Sequence, residues 1–200
     1  MACESESIYE SIEQCPGRRN MPGIRRRIYY IDKMDIAAWP ALPRPGDENK
    51  GMADMAVYEG DFVLKADKYF KFLDLKPESS NAGWEPVGEG IGSKMNNNKI
   101  TAIVSGTSND VKGFSRMAIN GDLVYVYQNA DGRFCVVGNE AYTCDTGSTG
   151  ETGSTATDAT TTTLEIHCYD ECPAPTYVGK LKISADKYID CADGQEKAAA

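Results

Sequence analysis

The sequence predicts a mainly β protein: a β-sandwich or barrel core with one flanking α-helix, an N-terminal arm and a long flap loop. Three observations carry that expectation. Apolar side chains recur at alternate positions in several short segments bounded by turn residues. One stretch alone has helical spacing, and two apolar runs bracket an Asp-Gly turn. The 200 residues suffice for one domain spanning 1–200.

Residues 1–24 read as an arm, because Pro16-Gly17 and Pro22-Gly23 are turn signals that break any helix begun between Ser5 and Glu13. A first strand follows from Arg25 to Ile31, where Arg25, Arg27 and Tyr29 alternate with Arg26, Ile28 and Tyr30. Residues 35–60 lack sustained periodicity, and Pro40, Pro43 and Pro45 oppose both helix and central strand. The apolar members of this stretch, Ile36, Trp39, Leu42 and Tyr58 among them, are too many for a solvated linker. Two readings follow: an exposed flap that binds a neighbouring molecule, or a flap folded onto its own core.

Asp61 to Leu75 is the longest strand signal, with Phe62, Leu64, Ala66, Phe70 and Phe72 in one phase and Lys68 interrupting it, so a break is expected near Asp67-Lys68. Ser79 to Gly92, around Trp84, reads as loop or irregular edge strand, and Lys99 to Ser105 as a short buried strand. Ser108 is placed to cap a helix whose Val111, Phe114, Met117 and Ala118 share a face, and Asn120-Gly121 ends it. Leu123–Tyr127 and Arg133–Val137 then form a hairpin turning at Asp131-Gly132. Residues 145–163, nearly all Thr, Ser, Gly, Asp and Glu, read as a mobile loop. Leu164–Tyr169 and Tyr177–Ile183 give the last strands, before an Ala-rich end expected to fray.

The net charge of −9 argues against a DNA-coating surface, which needs a basic footprint to displace counterions from phosphates. The basic residues are clustered, however: Arg18, Arg19, Arg25, Arg26, Arg27 and Lys33 oppose only Asp32 in their stretch. Arg25, Arg26 and Arg27 are either solvated residues that keep an edge strand from aggregating or an electrostatic contact to an acidic face of another subunit. No run is long and apolar enough to span a membrane and the first residues are acidic, so the expected setting is a cytoplasm, with no membrane partner. The seven cysteines are then read as reduced thiols, the odd number leaving at least one free or paired between chains.

A search for chemistry returns no convergent set. His167, the single histidine, neighbours Cys168 within a strand signal, so the two side chains face opposite ways and cannot easily share a metal or form a nucleophile–base pair. Gly88 to Lys94 has the wrong order for a phosphate-binding loop, and Glu89 would oppose a phosphate. No catalytic residue, cofactor or metal is expected.

Several stretches nevertheless resemble a known family in order and character. The helix Ser108–Ile119 leads into the hairpin Leu123–Val137 with Asn129-Ala-Asp-Gly132 at its tip, followed by Val137-Gly138-Asn139-Glu140. The Thr-rich segment 145–163 precedes the last strands, and Pro22 to Tyr30 with Asp35-Ile-Ala-Ala-Trp39-Pro40 look like an opening strand and the entry to the flap. Together these resemble the tail tube (major tail) proteins of tailed bacteriophages, related in fold to the tubes of contractile injection systems.

The resemblance implies a structural virion protein, assembled in the host bacterial cytoplasm as homohexameric rings. The rings stack into a tail tube, meet other tail proteins and conduct DNA during ejection without binding it specifically. Arg25, Arg26, Arg27, Ile36, Trp39, Leu42 and Tyr58 are the candidate subunit interface. The rival is a ligand- or glycan-binding β-sandwich module in which Trp39, Tyr58, Trp84 and Tyr177 form a platform. An enzyme ranks third.

Overall fold

A computed structural model describes residues 9–14, 16–17, 21–47 and 50–199. Its strands are β1 (Ile24–Asp32), β2 (Ile36–Ala38), β3 (Val57–Tyr58), β4 (Val63–Leu64), β5 (Lys71–Asp74), β6 (Asn81–Val87) and β7 (Met95–Ser105) before the helix α1 (Asn109–Ala118). After it come β8 (Leu123–Asn129), β9 (Phe134–Val137), β10 (Asp145–Glu151), β11 (Thr161–Asp170), β12 (Thr176–Tyr177), β13 (Lys180–Lys182), β14 (Lys187–Asp190) and β15 (Gln195–Ala198). They form a six-stranded sheet ordered β3-β12-β9-β8-β1-β5, a four-stranded sheet β10-β11-β7-β6, a three-stranded sheet β13-β14-β15 and the pair β2-β4.

The protein is mainly β, with a sandwich core and a single α-helix among the described residues. The inner layer lies between the two large sheets. Ile28, Tyr125, Tyr127 and Val137 from the six-stranded sheet pack with Ile100, Ala102, Leu164 and Ile166 from the four-stranded one. On the opposite face of the six-stranded sheet, Tyr29, Ile31, Val124, Val126 and Val136 form a second core with Ile36, Tyr58, Phe62, Phe70, Tyr177, Leu181 and Ile189. The sheet is thus covered on both faces. That explains why Val124 to Tyr127 and Phe134 to Val137 are buried at every position, since a strand with both faces covered reads as a continuous apolar run.

This second core corrects the expectation of an exposed flap over residues 35–60. Ile36 and Tyr58 are buried, and Trp39 and Leu42 pack partly against the same cluster. The stretch is held by backbone pairing as well: β2 with β4, β3 parallel to β12, and Ala41 with Glu59 through hydrogen bonds of 2.9 and 2.8 Å. Burying a side chain such as Ile36 contributes about 1.5–3 kcal/mol, and the chain's own sheet provides that burial. Of the two readings, the structure takes the flap folded onto its own core.

Three further expectations change. The strand signal at 61–75 is two short strands, β4 and β5. The break falls where expected, with Asp67 at φ 56°, and it is wide enough to abolish a continuous strand. Residues 145–163 are no mobile loop: β10 pairs with β11 from Asp145↔His167 to Glu151↔Thr161, leaving only 152–160 as the connection. Threonine is β-branched and suits a strand, and the polar groups that turn inward find partners. Thr146 Oγ1 meets the Tyr125 hydroxyl at 2.9 Å, and Thr162 Oγ1 donates to the Gly106 carbonyl at 3.0 Å. Tyr177–Ile183 is not the last strand: it divides into β12 and β13, and β14 and β15 follow as a hairpin that places Ile189 and Cys191 in the second core.

Other elements fall as expected. Ser108 accepts from the Val111 N–H at the start of α1, and Ala118 is buried. Met117, however, is exposed, and the helix docks through Val111 and Phe114, with Phe114 edge-on to Tyr30 at 4.9 Å between ring centres. The hairpin of β8 and β9 turns at Gly132, whose φ of 103° suits a residue without a side chain. Residues 9–14 carry no helix or strand. The remainder of the arm's first stretch, with Cys3, Cys15, Arg18 and Arg19, lies outside the described residues.

Candidate functional site: two poles of the central sheet

β1 runs from one end of the six-stranded sheet to the other. Its start, Ile24, pairs with Asn129 at the hairpin tip, and its end, Asp32, pairs with Leu123. Arg25, Arg26 and Arg27 follow Ile24 at a bulge where the register against β8 shifts. All three are exposed, because the irregular backbone takes their side chains out of the alternation that buries Ile28 and Tyr29.

The three arginines are not equivalent. Arg27 is committed within its own chain. Its Nε donates to Asp74 Oδ1 at 2.7 Å and its Nη2 to Asp74 Oδ2 at 3.1 Å, and its guanidinium sits 3.9 Å from the centre of the Phe72 ring. The hydrogen bond to Asp74 raises its pKa further above the ordinary arginine value. Arg25 and Arg26 have no ion-pair partner among the described residues. They border an open depression of about 910 Å³ that Met21, Pro77 and Glu78 also line.

At the other end of β1 the chain builds a groove of about 430 Å³. Trp39, Leu42 and Arg44 come from the folded flap, Tyr58 from β3, Asn139 to Tyr142 from the segment leaving β9, and Asp170 and Glu171 from the end of β11. Lys33, just past β1, fastens this end by donating to the Tyr142 carbonyl at 2.9 Å and pairing with Asp122 at 3.4 Å. β1 is nine residues long, so the two poles lie roughly 25 Å apart.

The groove's chemistry centres on Asp170. Only 3% of this residue is exposed. Its Oδ1 accepts from the Cys172 N–H at 3.3 Å, while its Oδ2 is buried and accepts no hydrogen bond among the described residues. Burial raises the carboxyl pKa, and nearby Asn139 offsets this only in part. The Asn139 amide already donates to the Tyr169 carbonyl at 2.7 Å. Exposed Glu140 and Glu171 add negative charge at the rim, where Arg44 is the cation of the lining and Lys33, behind Tyr142, is already paired with Asp122.

Among the predicted site residues, the groove brings together Trp39, Leu42 and Tyr58. Ile36 is buried under the sheet, and the arginines stand at the far pole. Buried Ile36 and Tyr58 cannot serve as exposed interface anchors; Tyr58 contributes only the part that borders the groove. The four-aromatic platform is not assembled: Trp84 is exposed on edge strand β6, and Tyr177 is fully buried. Sequence reasoning missed Asp170, Tyr142 and Glu171. The alternating burial along β11 puts Asp170 in phase with Leu164, Ile166 and Cys168, so a carboxylate in an inward phase was the available signal.

His167 and Cys168 do face opposite ways. Cys168 is buried, while His167 meets Asp145 at 3.2 Å across the β10–β11 pair. Gly88 to Lys94 forms the tight connection between β6 and β7, with Gly88, Gly90 and Gly92 at positive φ. No group of three metal-ligating side chains converges among the described residues, and no helix among them is long and apolar enough to cross a membrane. No family model, curated protein or solved structure matches the chain.

Proposed function

We propose that this protein is a self-assembling structural subunit of the tail-tube kind, whose copies close into hexameric rings that stack as a conduit for DNA in a phage virion. The observation that carries self-association is the separation of charge along β1: Arg25 and Arg26, exposed and without an ion-pair partner among the described residues, at one pole, and at the other an acidic groove beside a buried carboxylate whose Oδ2 accepts no hydrogen bond among them. A subunit with complementary ends makes heterologous contacts, which either close into rings or continue as a filament. The open edges β5, β6 and β10 support the same reading, since each leaves backbone groups free to pair with another copy. Phe72 and Trp84 are exposed on the first two of these edges.

Sedimentation velocity at rising protein concentration tests the proposal. Large species at low salt that dissociate near 1 M salt are expected, because screening shortens the reach of exposed charges to about 3 Å there. A single monomer boundary under all conditions would overturn it. A second reading, a ligand-binding module, draws on the grouping of Trp39, Tyr58 and Tyr142 around one groove. Saturable binding of a soluble glycan by a monomer would favour it.

A further inference from the structure

We infer that the groove between Trp39 and Asp170 is the receptor for the guanidinium of Arg25 or Arg26 from a second copy of this chain. The inference rests on the self-association proposed above and names the contact that directs it.

A carboxylate taken out of water without a full set of partners is costly, and the cost is removed when a donor arrives. Asp170 Oδ2 lacks such a donor among the described residues and is closed to solvent, while its residue lines the groove, so the carboxylate must turn outward to meet a guanidinium there. A planar guanidinium satisfies the chemistry best. It offers parallel N–H donors to a carboxylate, is more weakly hydrated than an ammonium, and is attracted to aromatic faces such as those Trp39 and Tyr142 can supply. Glu140 and Glu171 would draw the cation toward the groove, against opposition from Arg44 and from Lys33, whose charge Asp122 offsets at 3.4 Å.

The choice of a second copy follows from where the arginines lie. Arg27 is held by Asp74 and Arg133 by Asp131 at 2.6 Å, so neither is available without breaking a pair. Arg116 sits on the last turn of α1, seven residues before β8 begins at Leu123, which places it at the groove's own end of the sheet. Arg25 and Arg26 are adjacent, exposed, unpaired among the described residues and at the opposite pole. Within one molecule the length of β1 separates them from Asp170; between two molecules stacked end to end, the poles meet.

The test uses full-length protein and two readouts. In sedimentation, Arg25→Glu/Arg26→Glu and Glu140→Lys/Glu171→Lys are each expected to stay monomeric, and an equimolar mixture to form a dimer that grows no further, because each variant retains one native pole. Arg116→Glu should assemble like the wild type. In the second readout, N-acetylarginine amide is titrated into a Trp84→Phe version of the Arg25→Glu/Arg26→Glu monomer, leaving Trp39 as the fluorescent reporter. A saturable change is expected, with affinity falling about tenfold or more when Asp170→Asn is added.

Wild-type assembly that both charge-reversal pairs leave intact would overturn the inference while leaving self-association standing. A wild type that never assembles would overturn both. No saturable response to the arginine amide, or one that Asp170→Asn leaves unchanged, would overturn the groove as the receptor even if the charge-reversal variants fail to assemble.

Discussion

The hydroxyl of Tyr177 accepts a hydrogen bond from the backbone N–H of Phe62 at 3.1 Å and donates to the Lys180 carbonyl at 3.1 Å, so one buried side chain fastens the end of the folded flap to the C-terminal sheet. Beside it, Asp61 Oδ1 accepts from the Lys180 N–H at 2.8 Å. Tyr177→Phe leaves a buried donor and acceptor unpaired, and is expected to cost about 1–3 kcal/mol in urea unfolding. Gly179→Ala should cost more, since an added Cβ would stand 2.5 Å from Asp61 Oδ1 and 2.6 Å from the Tyr177 hydroxyl. An unchanged midpoint for both variants would contradict this account of the junction.

Asp170→Asn should act in opposite directions on folding and on assembly. The folded carboxyl's pKa is raised by burial, so its favourable contribution is present below the ordinary carboxylate value of about 3.9 and is lost as pH rises through the folded value. At neutral pH the variant is therefore expected to be more stable than the wild type, by on the order of 1 kcal/mol. The advantage should disappear below about pH 3.9. The same variant should assemble less well. A purely structural aspartate would give destabilisation at neutral pH instead.

Arg27 separates a structural arginine from an associative pair. Arg27→Ala removes the ion pair with Asp74, which is largely exposed, so stability should fall by no more than about 1 kcal/mol. Assembly should be unaffected by it and abolished by Arg25→Glu/Arg26→Glu. If Arg27→Ala alone blocks assembly, the division drawn among the three arginines is wrong.

The thiols give a further check. Cys135, Cys144, Cys168, Cys172 and Cys191 are all buried and unpaired by disulfides. Burial, reinforced by Asp170, pushes Cys172 up to about 12. Cys168 moves the other way, because the Cys144 thiol hydrogen-bonds to it. With Cys3 and Cys15 replaced by serine, the native protein should react only slowly with an aromatic disulfide reagent. Full reaction should need denaturant. Rapid labelling of five thiols in native buffer would contradict the burial described.

Much of the fold was legible where one signal dominated. The cap at Ser108, the turn at Gly132 and the opposed His167 and Cys168 each follow from local stereochemistry, and each lies where expected. The errors share a cause, which is long-range pairing. Nothing local in Asp145–Glu151 specifies a strand; its order comes from pairing with β11, itself paired with β7 from Ser105 to Asn96. Hydrogen exchange should accordingly be slow in β11 and at the β10 amides that bond to it, and fast across 152–160. The flap's two readings could not be separated locally, although apolar residues in both phases from Val124 to Tyr127 announce a strand with two covered faces. Of the site, the flap aromatics and arginines were visible, but Asp170 acquires meaning only when its neighbours in space are known.

The most direct test of the central claim is negative-stain electron microscopy of the purified protein at low and high salt. The account predicts rings of sixfold symmetry or hollow tubes that disperse as salt rises, and that are absent from Arg25→Glu/Arg26→Glu. Fields of isolated monomers at every concentration and salt, confirmed by their sedimentation, would contradict it.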